Sequence, residues 1–395
     1  MKQGVTALGV GLVSVGWMGR LHSRAYLATP HHYPELGVRA QLITAADPDE
    51  SGRRHASDVL GYGETVTDYR DVLANPAVDI VSICSPNFLH HEIAMAAIAA
   101  GKPFWIEKPM GRSATESREI AQAAASAGLV SAVGFNYRHA PAIAYARRLV
   151  KDGVIGTVTN VRVAMMADYS ADPRGALTWR FSRERAGSGV LGDLLSHGAD
   201  LAQFVVGRIA SVTSIAETFI TERPLPQGGA ASHFSTGEVG GSTGPVENED
   251  YAALLARFEG GAVGVLESSR IAVGPRASYA LEVYGTNGSL RWDFQRLNEL
   301  ELADDRSGYR TVLMSPGLGE FGNFQPGAGT GMGFDDLKTV EASLFLRSVV
   351  EGRQLAPSAA DAWSAAEIVE AAQTSARTGS WADVPTVEGT TTYDA

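Results

Sequence analysis

The chain has 395 residues, 45% of them hydrophobic and 19% charged, which is enough to bury two sizeable cores and too apolar for disorder. A formal net charge of -11 argues against a phosphate-backbone partner, so no nucleic acid is expected, and against an anionic membrane surface. Cys84 is the only cysteine, so no internal disulfide and no cysteine-based metal site can form; no metal is expected.

Residues 6–13 form a short apolar run followed by Ser14-Val15-Gly16-Trp17-Met18-Gly19 and a helical pattern over 18–27. Strand, glycine turn, helix is the arrangement that lets backbone approach a pyrophosphate and offers it a helix N-terminus. Ser14 replaces the first glycine of G-x-G-x-x-G, at a position that favours unusual dihedrals. Gly9, Gly11 and Gly16 break the apolar run, so a strand and phosphate loop is expected rather than a secretory signal. No apolar run is long enough to span a bilayer, and a cytoplasmic enzyme is the default expectation.

A second strand over 41–46 ends in Asp47, where an acidic side chain accepts hydrogen bonds from adenosine ribose hydroxyls and repels a 2′-phosphate. Asp47 lies 28 residues beyond Gly19; the excess reads as an inserted loop over 29–37, with His31, His32 and two prolines. Arg53 and Arg54 leave NADP open beside NAD. The apolar strand 78–84 ends in Ser85-Pro86-Asn87, and His90 falls in the first turn of a helix over 89–100. A buried strand over 103–106 then delivers Glu107-Lys108-Pro109 to the carboxyl edge of the sheet, the edge where open α/β sheets bind ligands. A helix over 115–127 and a strand over 130–134 complete the alternation, which implies a doubly wound parallel sheet over residues 1–137.

Beyond Asn136-Tyr137-Arg138 the pattern changes. After a helix over 142–151, strands are expected at 157–166, 212–219, 251–258, 262–271, 279–284 and 289–293, with turn residues Glu259-Gly260-Gly261 and Thr286-Asn287-Gly288 between pairs. Residues 138–395 therefore read as an α+β substrate-binding and oligomerisation domain built on a large, mostly antiparallel open sheet, closed by helices over 335–351 and 359–378. The glycine-rich stretches 227–244 and 317–333 read as exposed loops, with a lid or an oligomer arm as the alternative.

Within 187–204 the residues Asp193 and His197 stand four apart and project from one helix face, with Asp200 nearby on that face. A carboxylate beside an imidazole can hold its tautomer and raise its basicity. The alternative is a surface ion pair, but Val190, Leu191, Leu194, Leu195 and Leu201 argue for a buried helix.

Together, the glycine turn 14–19, Asp47, Ser85-Pro86-Asn87 with His90, Glu107-Lys108-Pro109, Asn136-Tyr137-Arg138, Trp179-Arg180 and Asp193-x-x-x-His197 resemble the Gfo/Idh/MocA oxidoreductase family over essentially the whole chain. The resemblance implies a Rossmann domain, NAD as cofactor, and hydride transfer from a secondary hydroxyl of a cyclic sugar or cyclitol. Carried over position by position, it implies catalytic roles for Lys108, Asp193 and His197. It implies cofactor contacts from Gly16, Trp17, Met18, Asp47, Ser85, Pro86, Asn87, His90, Glu107, Lys108, Arg138, Trp179 and Arg180. Substrate contacts are implied for Lys108, Asn136, Tyr169, Asp193 and His197. It also implies a cis Lys108–Pro109 bond and a homodimer or homotetramer. His197 is the expected base, oriented by Asp193, with Lys108 stabilising the alkoxide or itself relaying the proton. Segments 169–181 and 222–246 are similar to the levoglucosan dehydrogenases, which gives 1,6-anhydroglucose to its 3-keto form as the expected reaction. An inositol- or glucose-type dehydrogenase, a redox-neutral NAD-dependent glycosidase and, last, a non-catalytic NAD sensor are the alternatives.

Overall fold

The computed structural model describes residues 6–226, 235–237 and 240–391. Six parallel strands form the first sheet: β1 (Thr6–Val13), β2 (Val38–Ala46), β3 (Glu64–Val66), β4 (Ile80–Ile83), β5 (Phe104–Ile106) and β6 (Ser131–Val133), in the order β3-β2-β1-β4-β5-β6. β4, β5 and β6 are buried at every position, as strands covered on both faces must be. The carboxyl ends of β1, β4 and β5 carry Ser14, Ser85 and Glu107-Lys108 respectively.

The first helix, Trp17–His32, extends past the expected end, so the loop expected over 29–37 is mostly helix. Pro30 sits in its last turn. Tyr33 N still reaches Thr29 O at 2.8 Å, and the chain turns only at Pro34–Leu36 and Gly37, whose φ is 62°. Leu21, Ala25 and Tyr26 bury one face of this helix against the sheet.

The second sheet has nine strands, in the order Arg310–Leu313, Glu299–Asp304, Gly288–Asp293, Ala277–Gly285, Val158–Ala167, Val263–Ser269, Tyr251–Phe258, Ile209–Glu217 and Ala382–Asp383. Every pairing is antiparallel except that of Val158–Ala167 with Val263–Ser269. The strands at Glu299–Asp304, Arg310–Leu313 and Ala382–Asp383 were not anticipated from the sequence. Tyr251–Phe258 alternates buried and outward residues, one face on the helices and the other on solvent. The loop 317–333 contains only one short turn, Phe321–Asn323; of the stretch 227–244, residues 227–234 and 238–239 lie outside the described residues.

The two C-terminal helices cross back to the first sheet. Phe334–Glu351 packs along Trp17–His32, and its Ala342, Phe345 and Leu346 join the core around β1 and β2. Ala359–Thr378 begins in a capping box between Ser358 and Asp361, and its Ala362 and Ala365 join the core around β4 and β5. A cofactor edge built by residues 14–109 is thereby backed by side chains from residues 334–365. No helix among the described residues is long and apolar enough to cross a membrane.

Candidate active site

The glycine turn is shaped to take a pyrophosphate. Ser14 adopts φ 74°, the left-handed conformation its position calls for, and donates its amide to Ala46 O at 2.8 Å. A Cβ on Gly19 would meet Ser14 O at 2.1 Å, so helix and turn touch only because Gly19 has none. Gly16 caps Trp17–His32 without a side-chain hydrogen bond, and the first turn holds no acid, which leaves the amides at Trp17 and Met18 facing a free edge. Trp17 is exposed and stacks on Phe334 at 5.7 Å. Asp47 accepts from Val15 N at 2.7 Å through Oδ2 and from Asp49 N at 2.9 Å through Oδ1, which fixes its carboxylate beside the turn. Arg53 Nη1 is spent on the carbonyls of Asp47 and Pro48, at 2.7 and 2.9 Å, and Arg54 pairs loosely with Glu50.

Farther along the edge, two buried polar atoms find no partner among the described residues: Ser85 Oγ and Asn136 Nδ2. Both stand just past the carboxyl ends of strands, β4 and β6, on the edge where this topology binds a dinucleotide. The uncapped turn, the Cβ-free cradle at Gly19 and these two atoms fit NAD. Pro86 begins Asn87–Ala99, and Asn87 Nδ2 donates to Ala186 O at 3.3 Å.

Lys108 and Asp193 form the centre of the site. Lys108 Nζ donates to Asp193 Oδ1 at 2.9 Å and to Asp193 O at 2.7 Å, and the Tyr169 hydroxyl donates to Oδ2 at 2.5 Å. Burial alone would raise the Asp193 carboxyl, but Lys108, Arg180 and Tyr169 together hold it well below the usual carboxylate range. The Lys108–Pro109 peptide is cis. Glu249 prepares this position: its Oε1 accepts from the amides of Gly189 and Leu191 at 2.8 and 3.1 Å, fixing the turn that enters Leu191–Leu195. That segment is a wide, π-type turn, followed by the regular helix Ser196–Val206.

The expected Asp193–His197 pair is not formed. No hydrogen bond or ion pair joins them among the described residues; the carboxylate is spent on Lys108 and Tyr169, which approach from other elements. His197 is buried against aromatic rings instead, edge-on to Tyr137 at 4.7 Å and to Phe135 at 5.9 Å. Burial, reinforced by the Lys108 charge, keeps its imidazole well below the usual histidine pKa and therefore neutral near pH 7.

Three implied cofactor residues point elsewhere through their side chains. Arg138 is buried against Asp200 and Asp361, a bidentate clasp that also takes Asp200 away from Asp193's face. Glu107 faces inward, accepting from His22 and Lys338. His90 lies between two backbone carbonyls, Nδ1 at 2.8 Å from Pro109 O and Nε2 at 2.7 Å from Ser85 O, so it ties the two edge turns together.

Beside Asp193 a narrow cleft is lined by Asn87, Tyr169, Trp179, Arg180 and Arg270, among others. Arg180 lies over the Trp179 ring at 4.4 Å. Asn248 Nδ2 holds Arg180 O at 2.7 Å and is itself held by Arg270. Arg270 was not singled out from the sequence, and Tyr137 only as the middle of the motif Asn136-Tyr137-Arg138; the polar run Asn248-Glu249-Asp250 ahead of a strand was the available signal for the first.

The family model "Oxidoreductase family, NAD-binding Rossmann fold" matches residues 8–135, and "GFO/IDH/MocA C-terminal domain" matches 143–291. A levoglucosan dehydrogenase from Pseudarthrobacter phenanthrenivorans is 38% identical, over 96% of this chain and 99% of its own length. A levoglucosan dehydrogenase structure in complex with NADH and levoglucosan superposes with a TM-score of 0.89 at 35% identity, covering 96% of this chain and 100% of the other. An inositol dehydrogenase homolog from Azotobacter vinelandii with NAD+ shares the fold, at TM-score 0.81 and 22% identity, covering 97% of this chain and 98% of the other. With a glycine turn, an acid after β2 and a lysine at the end of β5 arranged along one sheet edge, the chain belongs to the Gfo/Idh/MocA family and is an NAD-dependent oxidoreductase.

Proposed function

We propose that the protein oxidises one secondary hydroxyl of a cyclic sugar, with levoglucosan as substrate and its 3-keto form as product. The observation that carries this reading is the Lys108–Asp193–Tyr169 chain beside a neutral, buried His197, at the edge that holds the cofactor. Bound NAD supplies the hydride acceptor. Lys108 Nζ, held by the Asp193 carboxylate and carbonyl, presents its remaining N–H to the reacting oxygen and stabilises the charge that develops there. The neutral His197 imidazole takes the hydroxyl proton. Asp193 orients Lys108 rather than His197, and Tyr169 fixes Asp193. Trp179 offers a flat apolar face to ring C–H groups, with Arg180 and Asn87 at the polar rim of the cleft.

The near-full-length 38% identity to a levoglucosan dehydrogenase supports the substrate. The test is absorbance at the reduced-nicotinamide band with NAD and, separately, levoglucosan, myo-inositol, glucose or xylose. A rise with levoglucosan supports the reading. A rise only with inositol or an open sugar moves the substrate within the family, and no rise with any sugar favours a redox-neutral glycosidase or a sensor.

A further inference from the structure

Behind the Glu107–Lys108 corner lies a buried charge cluster to which the reaction scheme gives no role. Glu107 Oε1 accepts from Lys338 Nζ at 2.5 Å and from His22 Nε2 at 2.9 Å; Lys338 also lies 3.3 Å from Glu341 Oε2. Lys338 and Glu341 are 1% and 0% exposed and Glu107 6%, so the ionised Lys338–Glu107 pair is costly in desolvation, and burial pushes the Glu341 carboxyl up to about 7. Trp105 closes the cluster: His22 stacks on it at 3.4 Å, its Nε1 donates to Glu341 at 2.5 Å, and Lys338 Nζ is 5.4 Å from its centroid. Lys338 stands 231 residues from Glu107 in sequence, on the helix that begins at Phe334. Phe334 in turn packs near the Tyr137 ring that edges His197. Buried ion pairs of this kind are weak stabilisers, and apolar replacements are often neutral. Stability is therefore a poor reason for carrying one on the residue next to Lys108.

We propose that Glu107 and Lys338 are positioning residues, a pair of opposite charges that sets the electrostatic potential at His197 while anchoring the strand end that carries Lys108. The inference rests on the reading of His197 as the proton acceptor. Two cations and two carboxylates bear on His197: Lys108 and Asp193, paired with each other, and Lys338 and Glu107, paired in the cluster, with the Tyr137 ring set between the imidazole and Phe334. Lys108 and Lys338 oppose protonation of the imidazole, and Glu107 and Asp193 favour it. With both rear charges present their effects offset. Glu107 also holds its own corner: Lys108 N lies 3.3 Å from Glu107 Oε2, and a Cβ on Gly134 would meet that oxygen at 2.6 Å. The carboxylate fits there only because the residue after β6, Gly134, has no side chain.

The two members of the pair act with opposite sign, which a merely structural role would not do. Without Lys338, the Glu107 charge is uncompensated and draws a proton to His197; without Glu107, Lys338 repels one. The experiment is kcat/KM for the sugar at saturating NAD, from about pH 4 to about pH 9, for wild type, Lys338→Met, Glu107→Gln and the double variant. The expected result is an acid limb moved up by about one pH unit in Lys338→Met and down by a similar amount in Glu107→Gln, with the double variant back near wild type. Shifts of the same sign in both single variants, or superimposable profiles, overturn the proposal. If Lys338→Met does not fold, Glu107→Gln decides alone, because Lys338 keeps Glu341 as a partner there; an unmoved or raised limb overturns the proposal. His197→Gln is run alongside. An acid limb that survives in it defeats the assignment of the base, whereas a limb that needs His197 but ignores the pair defeats only the coupling.

Discussion

Lys108 Nζ lies 2.9 Å from Asp193 Oδ1 and 2.7 Å from Asp193 O, so one residue holds the ammonium through both its side chain and its backbone. Two of the three ammonium N–H groups are thereby committed to Asp193. Asp193→Asn removes the charge that holds this geometry and is expected to lower kcat/KM about 10²-fold. Tyr169→Phe removes only one hydrogen bond to the same carboxylate and is expected to cost about tenfold. Steady-state kinetics on the two variants check the order; equal losses would contradict it.

His197→Ala is expected to lower kcat roughly 10²–10⁴-fold, the range a positioned base supplies, while NADH binding is retained. NADH fluorescence titration beside turnover measures the two separately. Near-wild-type kcat would move the proton to Lys108.

Glu341 makes a distinct prediction for stability. Burial raises its carboxyl, against the partial opposition of Lys338, to about 7. An acid whose pKa is raised on folding holds its proton in the folded state at pH values where the unfolded chain has lost it. Its contribution is therefore fully present below the unfolded pKa and is lost as pH rises from about 4.5 through about 7. Glu341→Gln keeps an acceptor for Trp105 Nε1 and has no proton to lose. Thermal unfolding should show wild type falling relative to the variant across that window, with the variant more stable at pH 8 by a few degrees. A gap that stays constant with pH would contradict this.

Asp47 bears on the choice of dinucleotide. Its carboxylate is fixed by two backbone amides, and Arg53 is spent on carbonyls rather than open to a phosphate. kcat/KM is expected to favour NAD over NADP, and Asp47→Ser should narrow the ratio mainly by raising the KM for NAD. An unchanged ratio would mean the carboxylate does not meet the ribose.

The outer face of the nine-stranded sheet carries Ile215, Leu255, Val263 and Val265 on three adjoining strands, all exposed. We propose self-association through this face. Wild type should sediment as a dimer or tetramer and Leu255→Glu as a smaller species; a monomeric wild type would contradict it.

Local grammar carried much of this site in the sequence. Ser14, Asp47, Ser85 and Lys108 each follow a short apolar strand, and a strand's carboxyl end is a place that can be read without tertiary contacts. Regular helical spacing predicts an Asp193–His197 pair, but Asp193 lies in a π-type turn and takes its partners from other elements. Lys108 and Tyr169, 85 and 24 positions away in the chain, reach Asp193 instead. Arg138 and Glu107 sit in motifs at the cofactor edge, yet Arg138 is paired with Asp200 and with Asp361, and Glu107 with Lys338, the last two partners more than two hundred residues on. Nothing local marks Lys338 as different from any lysine on an amphipathic helix, so the helix was legible and the cluster was not.

The most direct measurement uses levoglucosan deuterated at C3, with NAD and the wild-type protein, and mass spectrometry of the reduced cofactor. The account predicts one deuterium in the reduced nicotinamide and a 3-keto product. Reduced cofactor without the label, or a product with its keto group at another ring carbon, would contradict it.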